Sequence, residues 1–312
     1  MENRDYNIIV ITGPTACGKT SLAVKLALAY GCGIISGDSR QVFSGMDIGT
    51  GKDLDEYSTP SGRVPYYLID IASPLEDYSL YRYLDDFNNA FRDVNSRGLV
   101  PLLAGGSGLY IEAALKGFSL PGTPADSELR VSLETMTIEE LEALLMKESP
   151  EVYARTDRSS KRRVIRGIEI ARSAESPGHA ERTLLPELVP LIICINMPRD
   201  ELVARIDLRL DQRISQGLVA EVRRLLESGV PHEKMIKLGL EYRYAAMHIA
   251  GEITLEQMTA MLRNGIHRFA KRQMTWFRGM ERRGLKIHWI NGADAGRAAE
   301  IIESHRYSPQ QV

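Results

Sequence analysis

The sequence predicts an α/β protein with a doubly wound parallel sheet, a helical insertion domain and a helical C-terminal region. Short apolar runs typical of buried strands occur at Ile8–Thr12, Gly33–Ser36, Tyr66–Ile71, Val100–Ala104 and Val189–Asn196. They alternate with stretches of helical pattern, such as Ser21–Tyr30 and Leu80–Ser96. Alternating strands and helices imply a parallel sheet covered on both faces, with ligands bound at the carboxyl ends of the strands.

A second region of different character interrupts this pattern. From about residue 123 to residue 188 charged helical sequence replaces the strands, at Ile138–Lys147 and Lys161–Ser173. Helical patterns then continue in Glu201–Ser228 and Thr254–Met280, before a short strand-like run at Lys286–Ile290. We therefore expect a core of residues 1–122 and 189–312, and a helical insertion of residues 123–188.

Composition limits the possible classes of protein. The 312 residues are 44% hydrophobic and 26% charged, which suits a large core with a second, smaller unit. No apolar run reaches the roughly 20 residues of a membrane span, and no signal peptide is evident, so we expect a cytoplasmic protein, without membrane contact and monomeric. The three cysteines lack paired spacing and the six histidines are scattered, which predicts neither a disulfide framework nor a zinc site.

The first apolar run leads into the most informative motif of the chain, G-x-x-x-x-G-K-[ST]. It consists of Gly13, Pro14, Thr15, Ala16, Cys17, Gly18, Lys19 and Thr20. Its glycines let successive backbone N–H groups face phosphate oxygens, while Lys19 adds a positive charge and Thr20 offers a hydroxyl to Mg²⁺. The motif predicts a P-loop NTPase-like fold and a site for a di- or triphosphate.

Two carboxylates follow strand-like runs at the predicted edge of the sheet. Asp38 comes directly after the second run, where it can accept a proton from a nucleophile, cap a helix or assist a magnesium ion. Asp70 lies in the third run and fits a Walker B aspartate as well as a capping residue. The residues alone leave these roles open.

Two basic clusters stand out in a chain of net charge −2. The first comprises Arg158, Lys161, Arg162, Arg163 and Arg166, and the second extends from His267 to Arg283 with interleaved aromatic residues. Solvated surface charge explains either cluster alone, whereas two together favour contact with a polyanion. These features indicate a small diphosphate compound and a nucleic acid, without separating a kinase from a transferase.

Six motifs in a fixed order carry a family resemblance. They are Gly13–Thr20, Asp38–Phe43, Gly45–Thr50, Leu68–Ile71, Gly105–Tyr110 and Ala270–Arg278. Together they resemble the tRNA dimethylallyltransferase family, from about Ile8 to Trp289. The resemblance implies transfer of a dimethylallyl group from dimethylallyl diphosphate to N6 of the adenosine 3′ of the anticodon, in tRNAs that read U-starting codons. The alternatives are prenylation of free AMP, a P-loop small-molecule kinase, and a non-catalytic RNA-binding protein.

The resemblance also assigns roles to residues. It implies that Gly13–Thr20, an ATP-like loop, hold the diphosphate with Mg²⁺ on Thr20, that Arg209 or Arg205 assists, and that Asp38, Thr20 and Lys19 are catalytic, with Asp38 as general base. The residues implied in tRNA binding are Asp38, Ser39, Arg40, Gln41, Ser107, Arg130, Arg162, Arg163, Val164, Ile165, Arg166, His267, Lys271 and Arg272. One departure from the family pattern is the segment Gly239–Arg243, where Glu241 is expected to repel phosphate.

Overall fold

The computed structural model describes residues 5–60, 62–117, 126–173 and 187–307. The chain divides into two compact units, a core unit of residues 1–118 and 184–312 and an insertion unit of residues 119–183. The domain boundary expected near residue 123 lies outside the described residues. Within the described ranges, no helix combines the length and the apolar composition that a membrane crossing requires.

The strands of the core unit are short, and the central ones, such as those over Ile8–Thr12 and Cys32–Ser36, are fully buried. In chain order they are β1 (Asp5–Tyr6), β2 (Ile8–Thr12), β3 (Cys32–Ser36), β4 (Ser58–Thr59), β5 (Gly62–Arg63), β6 (Tyr66–Tyr67), β7 (Val100–Gly105), β8 (Pro190–Asn196), β9 (Ile287–Asn291) and β10 (Arg306–Tyr307). Six of them form one parallel sheet in the order β6-β3-β7-β2-β8-β9, while β1 pairs with β10 and β4 with β5. Every residue of β2 is buried, as expected for a central strand covered on both faces.

Helices cover the sheet and continue beyond it. In the core unit they are α1 (Lys19–Tyr30), α2 (Leu80–Ser96), α3 (Gly108–Lys116), α8 (Arg199–Ser215), α9 (Leu218–Glu227), α10 (His232–Leu238), α11 (Leu240–Ile249), α12 (Leu255–Arg282) and α13 (Ala295–Glu303). In the insertion unit they are α4 (Ser127–Glu134), α5 (Ile138–Glu148), α6 (Pro150–Arg155) and α7 (Lys161–Ser173). The predicted α/β class with a parallel sheet is confirmed.

The register of the strands brings the chemistry together. Thr12 pairs with Gly105, and Ser36 pairs with Ala104. The loops that follow β2, β3 and β7 therefore leave the sheet side by side, at the carboxyl edge where such sheets bind ligands.

Two of the predicted elements are wrong in part. The strand expected over Tyr66–Ile71 ends at Tyr67, because Leu68 and Asp70 take left-handed φ angles of 62° and 58° that no strand allows. The helix expected over Glu201–Ser228 is two helices, since Gly217 has a φ of 104° and ends the first of them. In both segments the sequence pattern shows which residues are buried, but it does not show where the backbone turns.

The insertion unit has its own small core. Helices α4, α5 and α7 contribute its buried residues, which are Leu133, Leu141, Leu145, Val164, Ile165 and Ile168. Thr137 and Glu140 form a capping box that fixes the start of α5. The insertion therefore presents its charged side chains from a packed helical framework.

Candidate active site

A cavity of about 690 Å³ opens at the carboxyl edge of the sheet in the core unit. Its walls come from the P-loop, from the loop after β3, from the glycine turn after β7, and from helices α8, α11 and α12. The residues that line it include Lys19, Thr20, Asp38, Ser107, Arg209 and Gln273. The cavity thus contains many of the residues predicted to hold the diphosphate and the residue predicted to act as general base.

The P-loop is wound by backbone angles that favour glycine. Gly13 has a φ of 151° and Gly18 a φ of 88°, and a Cβ at Gly13 would lie only 2.9 Å from the Cys17 sulfur. Lys19 opens α1 and donates from Nζ to the carbonyl of Pro14 at 2.7 Å. The loop forms a nest of N–H groups at a helix N-terminus, which is a binding site for an anion.

Not every P-loop residue faces the cavity. Thr15, Ala16, Gly18, Lys19 and Thr20 line it, whereas the buried Gly13, Pro14 and Cys17 do not. These three form the back of the loop and set its curvature. Their role in holding a diphosphate would therefore pass through the backbone.

Thr20 brings to the cavity a hydroxyl that can bind a magnesium ion. It lines the cavity next to Lys19, in the second position of α1. The described residues contain no group of three or more histidine, cysteine, aspartate or glutamate side chains able to hold a metal. Mg²⁺ usually keeps several waters and takes one or two protein oxygens plus substrate phosphates, so a single hydroxyl beside a diphosphate fits it.

Two arginines one helical turn apart on α8 approach the P-loop side of the cavity. Arg209 donates a hydrogen bond from Nη2 to the Thr15 hydroxyl. Burial and, next, the positive charge of nearby Arg213 lower the pKa of Arg209 to about 10, so the side chain stays protonated at neutral pH. Arg213 lies 3.7 Å from Glu241, so the acid expected to repel phosphate faces a guanidinium.

The loop after β3 is fixed by its own polar groups. Asp38 caps no described helix; its Oδ1 accepts a hydrogen bond from the backbone N–H of Arg40 at 2.9 Å, which makes a local Asx turn. The backbone N–H of Ser39 donates to the Ser107 hydroxyl at 3.0 Å, and the Ser107 N–H donates to the carbonyl of Gly37. A carboxylate is thereby held at the cavity wall, next to the glycine turn.

Arg40 and Gln41 are tied into the wall as well. Arg40 donates to the carbonyl of Lys237 at 3.0 Å. Gln41 accepts from the Ser36 hydroxyl at 2.9 Å and donates to the carbonyl of Gly51 at 3.1 Å. Both residues join the loop after β3 to neighbouring segments.

The loop of residues 47–52 is held by charged groups that sequence reasoning missed. The buried carboxylate of Glu221 accepts hydrogen bonds from the N–H groups of Asp47, Ile48 and Gly49 at 2.7–3.1 Å, and from the Tyr242 hydroxyl at 2.8 Å. No local motif announces this arrangement, because Glu221 is more than 170 positions away from the loop. Its only signal is a charged residue on the buried side of α9.

Lys52 explains the second acidic candidate. Its side chain is 1% exposed, and it forms ion pairs with Asp47 at 2.7 Å and with Asp70. Asp70 therefore ends no strand and caps no described helix; it neutralises a buried ammonium. The Walker B and capping interpretations are both replaced by this role.

Gln273, in the motif Ala270–Arg278, connects two loops of the core unit. It lies on α12 and is 6% exposed. Its Oε1 accepts from the Thr15 N–H and its Nε2 donates to the Gly106 carbonyl, each at 2.8 Å. The P-loop and the glycine turn after β7 are thus joined by one side chain.

The remaining candidates for tRNA binding divide between the two units. Of the three candidates on α12, Arg272 lines the cavity. His267 contacts Asp207 at 2.8 Å, and Lys271 is exposed; neither belongs to the cavity lining. The insertion unit holds Arg130, Arg162, Arg163, Val164, Ile165 and Arg166. The residues that the resemblance implied in tRNA binding are thus found in both units.

Within the insertion unit the candidates differ in exposure. Val164 and Ile165 are buried in its core, which corrects the expectation that their side chains face a partner. Arg130 and Arg166 pair with the buried carboxylate of Glu169. Arg162 is exposed and presents its charge to solvent.

Comparison with known proteins places the chain in a family. A family model described as IPP transferase matches residues 41–280, and a second, described as isopentenyl transferase, matches residues 6–71. The chain belongs to the IPP transferase family. It is therefore a prenyltransferase by family, and the resemblance found in the sequence is confirmed.

Individual relatives of this IPP transferase cover nearly its whole length. It is 46% identical over 284 residues to tRNA dimethylallyltransferase 1 of Porphyromonas gingivalis, covering 91% of this chain and 93% of the relative. It is 45% identical over 290 residues to tRNA dimethylallyltransferase 2 of Bacteroides fragilis, covering 93% and 94%.

Solved structures support the fold of this IPP transferase. A full-length tRNA isopentenylpyrophosphate transferase from Bacillus halodurans aligns with a TM-score of 0.67 at 32% identity, covering 96% of this chain and 94% of that one. A eukaryotic dimethylallyltransferase acting on tRNA aligns with a TM-score of 0.74, covering 97% and 81%. At 20% identity the second likeness supports the fold alone.

Proposed function

We propose that this enzyme transfers a dimethylallyl group from dimethylallyl diphosphate to N6 of the adenosine immediately 3′ of the anticodon in tRNA. One observation carries the proposal: a single cavity joins a P-loop, suited to a diphosphate, with the carboxylate of Asp38. The names of the relatives above support dimethylallyl diphosphate as donor and tRNA as acceptor.

The donor half of the reaction belongs to the P-loop. The backbone N–H groups of Ala16–Thr20 and the ammonium of Lys19 bind the diphosphate, while Gly13, Pro14 and Thr15 shape the loop. Arg209 contributes a further positive charge. As the allylic C–O bond breaks, the electron pair leaves with the diphosphate, and these groups stabilise the charge that accumulates there. When bound, Mg²⁺ would be held by Thr20 and would supply additional neutralisation of the leaving group.

The acceptor half belongs to the loop after β3. N6 of adenosine forms the new bond to the allylic carbon and loses one proton, which the carboxylate of Asp38 accepts as general base. Ser39, Arg40 and Gln41 contact the adenosine and its neighbours, together with Ser107 and Arg272.

The target adenosine must leave its stack to reach the cavity. Phe269 and Trp276 line the cavity and are 38% and 37% exposed, which supports them as stacking surfaces for an extruded base. In the insertion, Arg162, Arg163 and Arg166 bind the phosphates of the anticodon stem, with Arg130 beside them.

The decisive experiment supplies purified enzyme with Mg²⁺, labelled dimethylallyl diphosphate and unmodified tRNA that reads U-starting codons. Parallel tubes contain free AMP, or labelled ATP in place of the prenyl donor. Label in tRNA that maps to the adenosine beside the anticodon is the expected result. Label in AMP alone, or phosphate transfer from ATP, would overturn the proposal in favour of a nucleotide prenyltransferase or a kinase.

A further inference from the structure

Gln273 has no part in the chemistry above, although both the oxygen and the nitrogen of its amide form hydrogen bonds. The bond to the Thr15 N–H requires the oxygen, and the bond to the Gly106 carbonyl requires the nitrogen, so the amide has one permitted orientation. Both bonds are 2.8 Å long, and the side chain is 6% exposed. A buried amide that is satisfied at both ends holds the two backbone segments at a fixed separation.

The glycine turn continues this connection to the base. Gly106 precedes Ser107, whose hydroxyl accepts from the Ser39 N–H at 3.0 Å and whose own N–H donates to the Gly37 carbonyl at 3.2 Å. Asp38 lies between these two bonded residues. A continuous set of hydrogen bonds therefore runs from the P-loop through Gln273 to the loop that carries the carboxylate.

The packing around Gly106 leaves little tolerance. A Cβ built there would lie 2.6 Å from the Gln273 nitrogen and 3.6 Å from the Lys19 ammonium. The amide of Gln273 thus occupies the space beside a residue that has no side chain, close to the cation of the P-loop. A shift of the turn would be transmitted directly to this amide.

We propose that Gln273 is a positioning residue that sets the separation between the diphosphate site and Asp38. The inference rests on the proposed transfer reaction and extends it. N6 must approach the allylic carbon opposite the departing diphosphate while its proton lies within reach of Asp38, and a displacement of about 1 Å can cost about 10²-fold in rate. Gln273 acts on both distances through the backbones of Thr15 and Gly106.

The position of Gln273 on α12 adds a second consequence. Phe269, Arg272 and Trp276 line the same cavity from this helix. A base stacked on these side chains therefore contacts the helix that carries Gln273. The surface proposed for the base and the amide that joins the two loops thus lie on one helix.

The test compares Gln273→Met with the wild-type enzyme in single turnovers at saturating tRNA and donor. Methionine keeps the approximate volume and removes both hydrogen bonds, so the rate constant should fall about 10²-fold while the dissociation constant for tRNA changes less than about twofold. Thr275→Val is the matched control, because among the described residues the Thr275 hydroxyl bonds only within its own helix, to the carbonyl of Lys271 at 3.0 Å. A Gln273→Met rate within about twofold of wild type, or a loss equal to the unfolded fraction, overturns the proposal.

Hydrogen–deuterium exchange of the full chain gives a readout that needs no activity. Gln273→Met should speed exchange in residues 13–20 and in residues 36–41, whereas Thr275→Val should change neither. Gln273→Glu keeps the acceptor for Thr15 and loses the donor to Gly106, so it should speed exchange chiefly in residues 36–41. Changes confined to α12 would overturn the positioning role. If wild-type enzyme labels no tRNA, the proposed function fails, and this exchange result alone decides whether Gln273 joins the two loops.

Discussion

The core unit and the insertion unit use charged side chains in opposite ways. In the core unit Glu221 and Lys52 are buried and saturated with hydrogen bonds, and they shape backbone loops that line a cavity. In the insertion unit Arg162 and Arg163 are exposed on α7, above a core of aliphatic residues. The first arrangement holds backbone atoms at set distances, whereas the second places positive charge at the surface.

This difference separates two physical tasks. A proton transfer and a departing diphosphate need groups held at set distances, which buried hydrogen bonds provide. The grip on an RNA stem needs only cations near phosphates, and its strength depends on salt. Substitutions in the two units should therefore fail in different assays.

Asp38→Ala should give the largest effect. Removing the proposed general base should lower the single-turnover rate constant by about 10²- to 10⁴-fold, because the N6 proton would lose its acceptor. The affinity for tRNA, measured by filter binding, should stay within a few-fold of wild type, and Asp38→Asn should behave alike. Equal losses of rate and of affinity would contradict the general-base role.

Glu221→Gln should lower stability more than any other property. The substitution removes the negative charge of a carboxylate that accepts hydrogen bonds from three backbone N–H groups and a tyrosine hydroxyl. We expect a loss of about 2 kcal/mol in the free energy of unfolding. Denaturant titration measures it. Glu227→Gln on the exposed side of the same helix is the control and should be neutral. A Glu221→Gln variant as stable as wild type would show that the loop of residues 47–52 keeps its conformation without the Glu221 carboxylate.

Arg162→Gln should weaken tRNA binding without slowing saturated turnover. Loss of one phosphate contact should reduce the slope of log affinity against log salt by about 0.7–0.9. Arg155→Gln, also exposed in the insertion and paired with Glu151, should leave the slope unchanged. An unchanged slope for Arg162→Gln would remove this residue from the interface.

Acidification should affect the insertion unit through Glu169, with the smallest effect of the four. Burial raises the pKa of this carboxyl, but hydrogen bonds from Arg130, the Asp126 N–H and Arg166 outweigh it, and the net pKa is lowered. A lowered pKa in the folded state means that the stabilisation is complete above the unfolded value of about 4.3 and is lost as the pH falls through the folded value.

Hydrogen exchange of α7 as a function of pH measures this loss. The difference between wild type and Glu169→Gln should be full near neutral pH and should shrink below about pH 4. Glu139→Gln, at an exposed position on α5, is the control and should show no such difference. A difference that grows on acidification would contradict the sign of the shift.

Local patterns predicted much of this molecule. The P-loop, α1 and β2 are read from eight consecutive motif residues and the apolar run before them, since backbone angles there depend on neighbours in sequence. The turn at Leu68–Asp70 was missed because an apolar run cannot distinguish a buried strand from a buried turn. Glu221 and Gln273 were missed because their partners lie 172–174 and 167–258 positions away, where no spacing rule reaches.

The close approach of Tyr242 to Gly49 has a consequence for how this enzyme can diverge. A Cβ at Gly49 would lie 2.6 Å from the Tyr242 ring carbon and hydroxyl, so even alanine is excluded while the tyrosine is present. The same hydroxyl satisfies Glu221, so shortening residue 242 alone would leave a buried carboxylate with one partner fewer. Residues 49 and 242 are almost two hundred positions apart, yet the side chain allowed at one depends on the side chain at the other. In natural sequences we expect side chains at 49 to appear only where 242 has become small, as a pair of changes inherited together.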